Sequence, residues 1–88
     1  MQYRVIYTNK SKKFLDKLNQ SDRLHIKAWI EKFLFDTDNV RKYGKALKGQ
    51  FAGLWRYRVG DYRIIAKIED KQLIICIVTV DHRKQVYR

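Results

Sequence analysis

Cysteine is almost missing from this 88-residue chain, and Cys76 stands alone. It has no partner in the chain for a disulfide. Its apolar setting within Leu73–Val80 fits a buried small hydrophobe rather than a reactive thiol. One cysteine and two separated histidines, His25 and His82, lack the spacing of metal ligands, so no metal and no cofactor is expected. Such cysteine usage fits the reducing cytosol, and a cytoplasmic location is expected. Proline is absent, and there is no repeat, low-complexity segment or linker. No apolar run approaches the roughly 18 residues that a membrane span needs. No signal peptide is expected, because the first apolar run soon gives way to Asn9 and Lys10. Acidic residues are also scarce: 9 Asp and Glu stand against 20 Lys and Arg, a formal charge of +11. Self-repulsion on that scale costs stability, and a chain usually carries it for a partner. Nucleic acid, an anionic membrane or an acidic protein would each fit.

A chain of this length is expected to form a single domain, residues 1–88. It buries about 60–65% of its unfolded surface, which allows one modest core and a shallow surface site. Gln2–Thr8 is rich in β-branched and aromatic residues and predicts a strand. Thr8 or Asn9 can cap a helix over Lys10–Leu18, where Phe14, Leu15 and Leu18 share one face. Ser21 opens a second predicted helix, with Asp22 at its positive end. Its stripe runs through Leu24, Ile26, Trp29, Ile30, Phe33 and Leu34. Val40–Gly53 reads as a loop. Three strands follow, Gly53–Val59, Tyr62–Ile68 and Gln72–Val80, with a turn at Glu69-Asp70-Lys71. The order βααβββ predicts an α+β fold, a helical hairpin packed on one face of a small antiparallel sheet.

The chain is organised around Leu54–Arg63, a strand, a tight Gly60-Asp61 turn and the start of another strand. Alternation puts Trp55, Tyr57 and Val59 on one face, Arg56 and Arg58 on the other. The turn brings Arg63 to the arginine side. Like charges gathered on a rigid surface repel, and the arrangement suits an anion. The tail His82-Arg83-Lys84-Gln85-Val86-Tyr87-Arg88 adds more of the same.

Several chemistries lack their residues. Ser11 and Ser21 sit at helix starts, so no nucleophilic triad assembles. No pair of carboxylates converges, since Asp61 falls in one turn and Glu69 and Asp70 in another. There is no glycine-rich phosphate loop and no recognition helix of a DNA-reading motif. Cationic chemistry on a phosphate remains. Arginine presents a fork of donors matched to phosphate oxygens. Several of them around one phosphodiester stabilise the charge that develops during cleavage. RNA supplies its own nucleophile, the 2′-hydroxyl. The plainer reading is that these arginines face water or an acidic partner.

Three runs carry a resemblance: Gly44-Lys45-Ala46-Leu47-Lys48-Gly49, then Gly53–Ile65, then Val80–Arg88. Together they resemble the RelE side of the RelE/ParE toxin superfamily, across the whole chain. The resemblance implies a RelE-like fold and a toxin of a type II toxin–antitoxin pair. It implies a metal-independent endoribonuclease that cuts messenger RNA in the ribosomal A site by 2′-hydroxyl attack, leaving a 2′,3′-cyclic phosphate. It also implies a small RelB-like antitoxin that blocks the toxin, with operator DNA bound only through the complex. Two family lysines fall at Arg56 and Arg58, the arginine opening the next strand at Arg63, the later arginine at Arg83 and the terminal tyrosine at Tyr87. Arginine stays protonated, so neither Arg56 nor Arg58 takes the 2′-hydroxyl proton. Tyr87 and His82 are left as candidate proton acceptors; His25 on the helix reads as structural or solvent-facing.

Lys10, Lys13, Lys17, Lys42, Lys45, Lys48 and Lys84 are candidate RNA contacts, neutralising phosphates around the message. Part of this set reads equally as a solvated face. The antitoxin would bury an amphipathic helix in a groove or add a strand to a sheet edge. Two alternatives stand beside the nuclease: a ParE-like toxin acting on DNA gyrase, and a non-catalytic basic RNA- or protein-binding module.

Overall fold

The computed structural model describes residues 2–82. Its elements are β1 (Arg4–Tyr7), α1 (Asn9–Lys17), α2 (Gln20–Ile30), β2 (Gly44–Ala46), β3 (Trp55–Val59), β4 (Tyr62–Glu69) and β5 (Ile74–His82). The strands form one five-stranded sheet in the order β1-β5-β4-β3-β2, and the fold is α+β. The sheet is mixed where an antiparallel one was expected. β1 lies parallel to β5, from Arg4 beside Ile74 to Tyr7 beside Ile77. A helical crossover frees a strand from the hairpin constraint, so strand order alone leaves that direction open. No helix among the described residues is long and apolar enough to cross a membrane.

Thr8 is the cap of α1, its hydroxyl accepting from the Ser11 N–H at 3.2 Å. The same hydroxyl donates to the Val78 carbonyl at 2.7 Å. Ser11, fully buried, donates to the Ile77 carbonyl at 3.0 Å. The start of α1 is thereby tied to the middle of β5. Asn19, not Ser21, caps α2 by accepting from the Asp22 N–H at 2.8 Å. The α2 chain continues into a wider π-helical turn over Glu31–Phe35, which keeps Leu34 fully buried. Leu24 lies on the outer side of α2 and is exposed, unlike the expected core position.

The core is the sandwich between helices and sheet. Leu15, Ile26, Ile30 and Leu34 meet Tyr57, Val59, Ile64, Ala66, Ile75, Ile77 and Val80. Tyr57 is wholly buried, and its hydroxyl donates to the Val40 carbonyl. Burial disfavours its phenolate and pushes its pKa well above the usual tyrosine range. Part of the expected loop is strand β2, whose Gly44 sits opposite Tyr57. A Cβ there would lie 2.3 Å from Trp55 Nε1, so glycine lets β2 approach beneath the indole. Cys76 is half-buried, beside Ile6 and Lys67, rather than fully enclosed.

One irregularity positions the site. From the turn, β4 and β5 pair as Glu69 with Ile74 through Ala66 with Ile77. Then Ile65 pairs with Thr79, leaving Val78 as an extra residue. This is a β-bulge. The Val78 carbonyl is the one Thr8 takes. Beyond the bulge the alternation of β5 is reversed, so Ile75, Ile77 and Val80 all face the helices.

Candidate functional site

The face of the sheet turned away from the helices carries the charges. β3 and β4 are joined by the two-residue loop Gly60-Asp61, with Val59 paired to Tyr62. Gly60 takes φ +59°, a conformation that suits glycine at the first position of such a loop. The tight turn fixes register. Arg58 stands directly opposite Arg63, and Arg63 directly opposite Asp81 on β5. The next row along the strands reads Lys45, Arg56, Ile65 and Thr79. Directly opposed residues have Cβ atoms about 4.5–5.5 Å apart. Like charges on directly opposed residues are destabilising.

The arginines differ in exposure. Arg58 is exposed, Arg56 is half-buried, and Arg63 is only 2% exposed. Withdrawing a guanidinium from water costs several kcal/mol unless its donors are engaged. A groove of about 690 Å³ opens over this row. Arg56, Arg63, Ile65, Thr79 and Asp81 line it from the sheet, Leu47, Phe51 and Leu54 form an apolar wall, and Lys10 and Val78 complete it. Lys10 reaches the groove because Thr8 and Ser11 anchor the start of α1 on β5. Thr79 donates from Oγ1 to Asp81 Oδ2 at 3.1 Å.

The expected residues are not all brought together. Arg56, Arg58 and Arg63 share this face, with Lys10 and Lys45 beside them. Lys13 and Lys17 are exposed on α1, and Lys42 and Lys48 are exposed around β2. Lys42 lies over the Tyr43 ring, 5.4 Å from its centroid. His25 is exposed on α2. His82 is opposite Tyr62, ring against ring at 5.5 Å. Tyr62 is itself on the helix side, donating to Asp22 Oδ2 at 2.9 Å and meeting the Phe14 ring at 6.1 Å. His82 therefore stands on the face opposite the arginines. Arg83, Lys84 and Tyr87 lie outside the described residues.

Asp81 and Thr79 escaped sequence reasoning. Counted straight from the β4–β5 turn, Arg63 would pair with Val80, and His82 would join the arginine face. The bulge at Val78 exchanges His82 for Asp81. The apolar wall was missed because Val40–Gly53 has no periodicity to place it.

At the far end of β4 the charges are satisfied. Arg41 grips Asp70 with two guanidinium nitrogens at 3.1 and 2.8 Å, and Tyr3 donates to the same carboxylate. Arg41, then Tyr3, hold the Asp70 carboxyl below its usual pKa, and the bond to Asp70 raises that of Tyr3.

A family model described as the ParE toxin of the type II toxin–antitoxin system parDE matches residues 5–87. The chain belongs to the RelE/ParE family of type II toxins. The curated Toxin RelG of Mycobacterium tuberculosis is 32% identical over 90 residues, covering 100% of this chain and 99% of that protein. The crystal structure of the RelBE2 toxin–antitoxin complex from the same organism matches with a TM-score of 0.78 and 28% identity, over 94% of this chain and 100% of that one. The isolated RelE toxin of E. coli shares the fold, with a TM-score of 0.73 at 15% identity, over 97% of this chain and 88% of that one. For this RelE/ParE toxin the groove over Arg56 and Arg63 is the candidate working surface.

Proposed function

We propose that this toxin is a ribosome-dependent endoribonuclease that cuts messenger RNA in the A site by attack of the 2′-hydroxyl on the adjacent phosphate. One observation carries the reading: buried Arg63 and half-buried Arg56 line one groove, and exposed Arg58 stands opposite Arg63 on the same face. Guanidinium forks held by a rigid sheet match the oxygens of a phosphodiester. They are preorganised for the extra negative charge of the pentacoordinate transition state, where such donors are worth most. The apolar wall of Leu47, Phe51 and Leu54 offers a neighbouring base a dry surface. Lys10 and Lys45 add salt-sensitive attraction for the strand. By the resemblance, Arg83 joins the phosphate clamp, Lys84 aids docking and Tyr87 moves a proton; the position of His82 on the helix side counts against it.

In this reading the cell restrains the toxin with a small antitoxin, as the RelB-containing complexes of its relatives suggest. An acidic partner fits the +11 charge, and the complex rather than the toxin would meet operator DNA. The setting would be the cytoplasm, where messages are translated.

Primer extension on a defined message in a translating extract is the test. Wild type is expected to cut within A-site codons and only when ribosomes are present. Arg63→Ala is expected to lower cutting by about 10²–10³-fold, the usual cost of one transition-state donor, while the protein stays folded. Equal cutting by the variant would remove Arg63 from the site. A second reading, a gyrase-directed toxin, draws on the family model's ParE description. Intact messages together with DNA damage would favour it.

A further inference from the structure

We propose that Asp81, rather than Tyr87, is the proton acceptor for the 2′-hydroxyl, an inference that rests on the nuclease reading above. The described arginines of the groove cannot do this work, since guanidinium stays protonated in proteins. A reaction begun by a hydroxyl needs a base within hydrogen-bond reach of it. Asp81 is the carboxylate that the bulge at Val78 turns into the groove, directly opposite Arg63. Its electrostatic surroundings are Arg63 on β4, Arg56 and Arg58 on β3, Lys45 on β2 and Lys10 on α1.

Two features suit the role. Thr79 donates to Oδ2 at 3.1 Å, which holds the carboxylate's rotation. A carboxylate has lone pairs for several donors, so this bond leaves capacity for a substrate hydroxyl. Second, a negative charge in a groove built for phosphates weakens substrate attraction. The site carries that penalty for a group placed beside Arg63, where a phosphate gripped by the guanidinium would bring its 2′-hydroxyl close to the carboxylate.

The step balances. The 2′-oxygen bonds to phosphorus as its proton passes to the Asp81 carboxylate, and the bond from phosphorus to the 5′-oxygen breaks. The 5′-oxygen takes a proton from water, and the resulting hydroxide recovers the proton from the Asp81 carboxylic acid. The products are a 2′,3′-cyclic phosphate and a 5′-hydroxyl, with no net proton released.

The experiment is single-turnover cleavage on purified ribosomes programmed with a defined message, between about pH 6 and pH 8. A carboxylate base removes the proton without help from hydroxide, so the rate it supports is flat with pH. Wild type should therefore show a flat profile. Asp81→Asn should cut about 10²–10⁴-fold more slowly, the usual worth of a general base. Its residual rate should rise about tenfold per pH unit as hydroxide takes over. Binding to a message carrying a 2′-deoxy nucleotide at the cut site should be unchanged or tighter in Asp81→Asn, because a negative charge has gone. A wild-type rate that climbs tenfold per pH unit would overturn the assignment without need of any variant. So would an Asp81→Asn rate that is lowered but stays flat, which marks a residue that only holds Arg63 in place. Should Asp81→Asn fail to fold, Asp81→Glu keeps the carboxylate, and its flat profile is the expected result; a rising one counts against the proposal. If wild type leaves the message uncut, the nuclease reading itself falls, a result distinct from all of these.

Discussion

Tyr57 and Arg58 are neighbours on β3 and belong to different worlds. Tyr57 is fully buried against the helices, its hydroxyl matched to one carbonyl. Arg58 is exposed on the other face, opposite another arginine. One face lowers the free energy of the fold; the other stores repulsion that an anion can relieve. A two-layer protein of this size has only one sheet face to spare from its core. Putting the charges there lets a small domain hold a rigid site without a deep cavity.

The sharpest way to break the contrast is at Tyr57. Tyr57→Ala removes a buried ring beside Trp29 and leaves Val40 without its donor. Such a deletion costs about 3–5 kcal/mol. A domain of this length has roughly 4–13 kcal/mol in all, so the urea midpoint should fall steeply or the cooperative transition vanish. Arg58→Ala should do the reverse, leaving stability within about 0.5 kcal/mol and depressing cleavage. An Arg58 variant that unfolds, or a Tyr57 variant that melts like wild type, would mean the faces are not divided as described.

Much of this division was legible beforehand. Period-two alternation and the Gly60-Asp61 turn suffice to put Arg56, Arg58 and Arg63 on one side, because a two-residue loop leaves no freedom of register. The helices announced themselves through Phe14, Leu15 and Leu18, and through Ile26, Trp29 and Ile30. What stayed hidden depended on backbone partners far apart in the chain. The Val78 bulge is held by the Thr8 hydroxyl, 70 residues away, and nothing in Ile74–His82 distinguishes it from an unbroken strand. That single extra residue decides whether His82 or Asp81 faces the arginines. β2 is three residues long, too short for any pattern, and β1 could have paired in either direction.

A smaller effect sharpens the comparison at the edge of the site. Gly44→Ala puts a methyl group 2.3 Å from Trp55 Nε1 and 2.7 Å from the Arg56 carbonyl oxygen. The second contact is backbone, so β2 must move rather than a side chain swing aside. Overpacking of this kind costs about 1–3 kcal/mol. Lys45, opposite Arg56, moves with the strand. The variant should lose both melting temperature and affinity for RNA, with the loss of affinity shrinking in high salt as phosphate contacts are screened. Unchanged RNA affinity in a destabilised Gly44→Ala would show that β2 is scaffold alone and that the site ends at β3.

The smallest effect lies at the opposite end of β4, where charge is neutralised rather than gathered. Arg41 and Tyr3 both engage Asp70, and Arg41 first, then Tyr3, lower its carboxyl pKa in the folded state. A carboxyl whose folded pKa is depressed stabilises the fold above its unfolded pKa, about 3.9, and loses that contribution as pH falls through the folded value. Asp70→Asn should therefore be slightly less stable than wild type at neutral pH. The gap should close in acid, once the wild-type carboxylate is protonated as well. Because the pair is exposed, the neutral-pH gap should also narrow with added salt. Urea midpoints of the two proteins at neutral and acid pH decide this. A gap of the same size at both would assign the loss to packing of the turn rather than to charge.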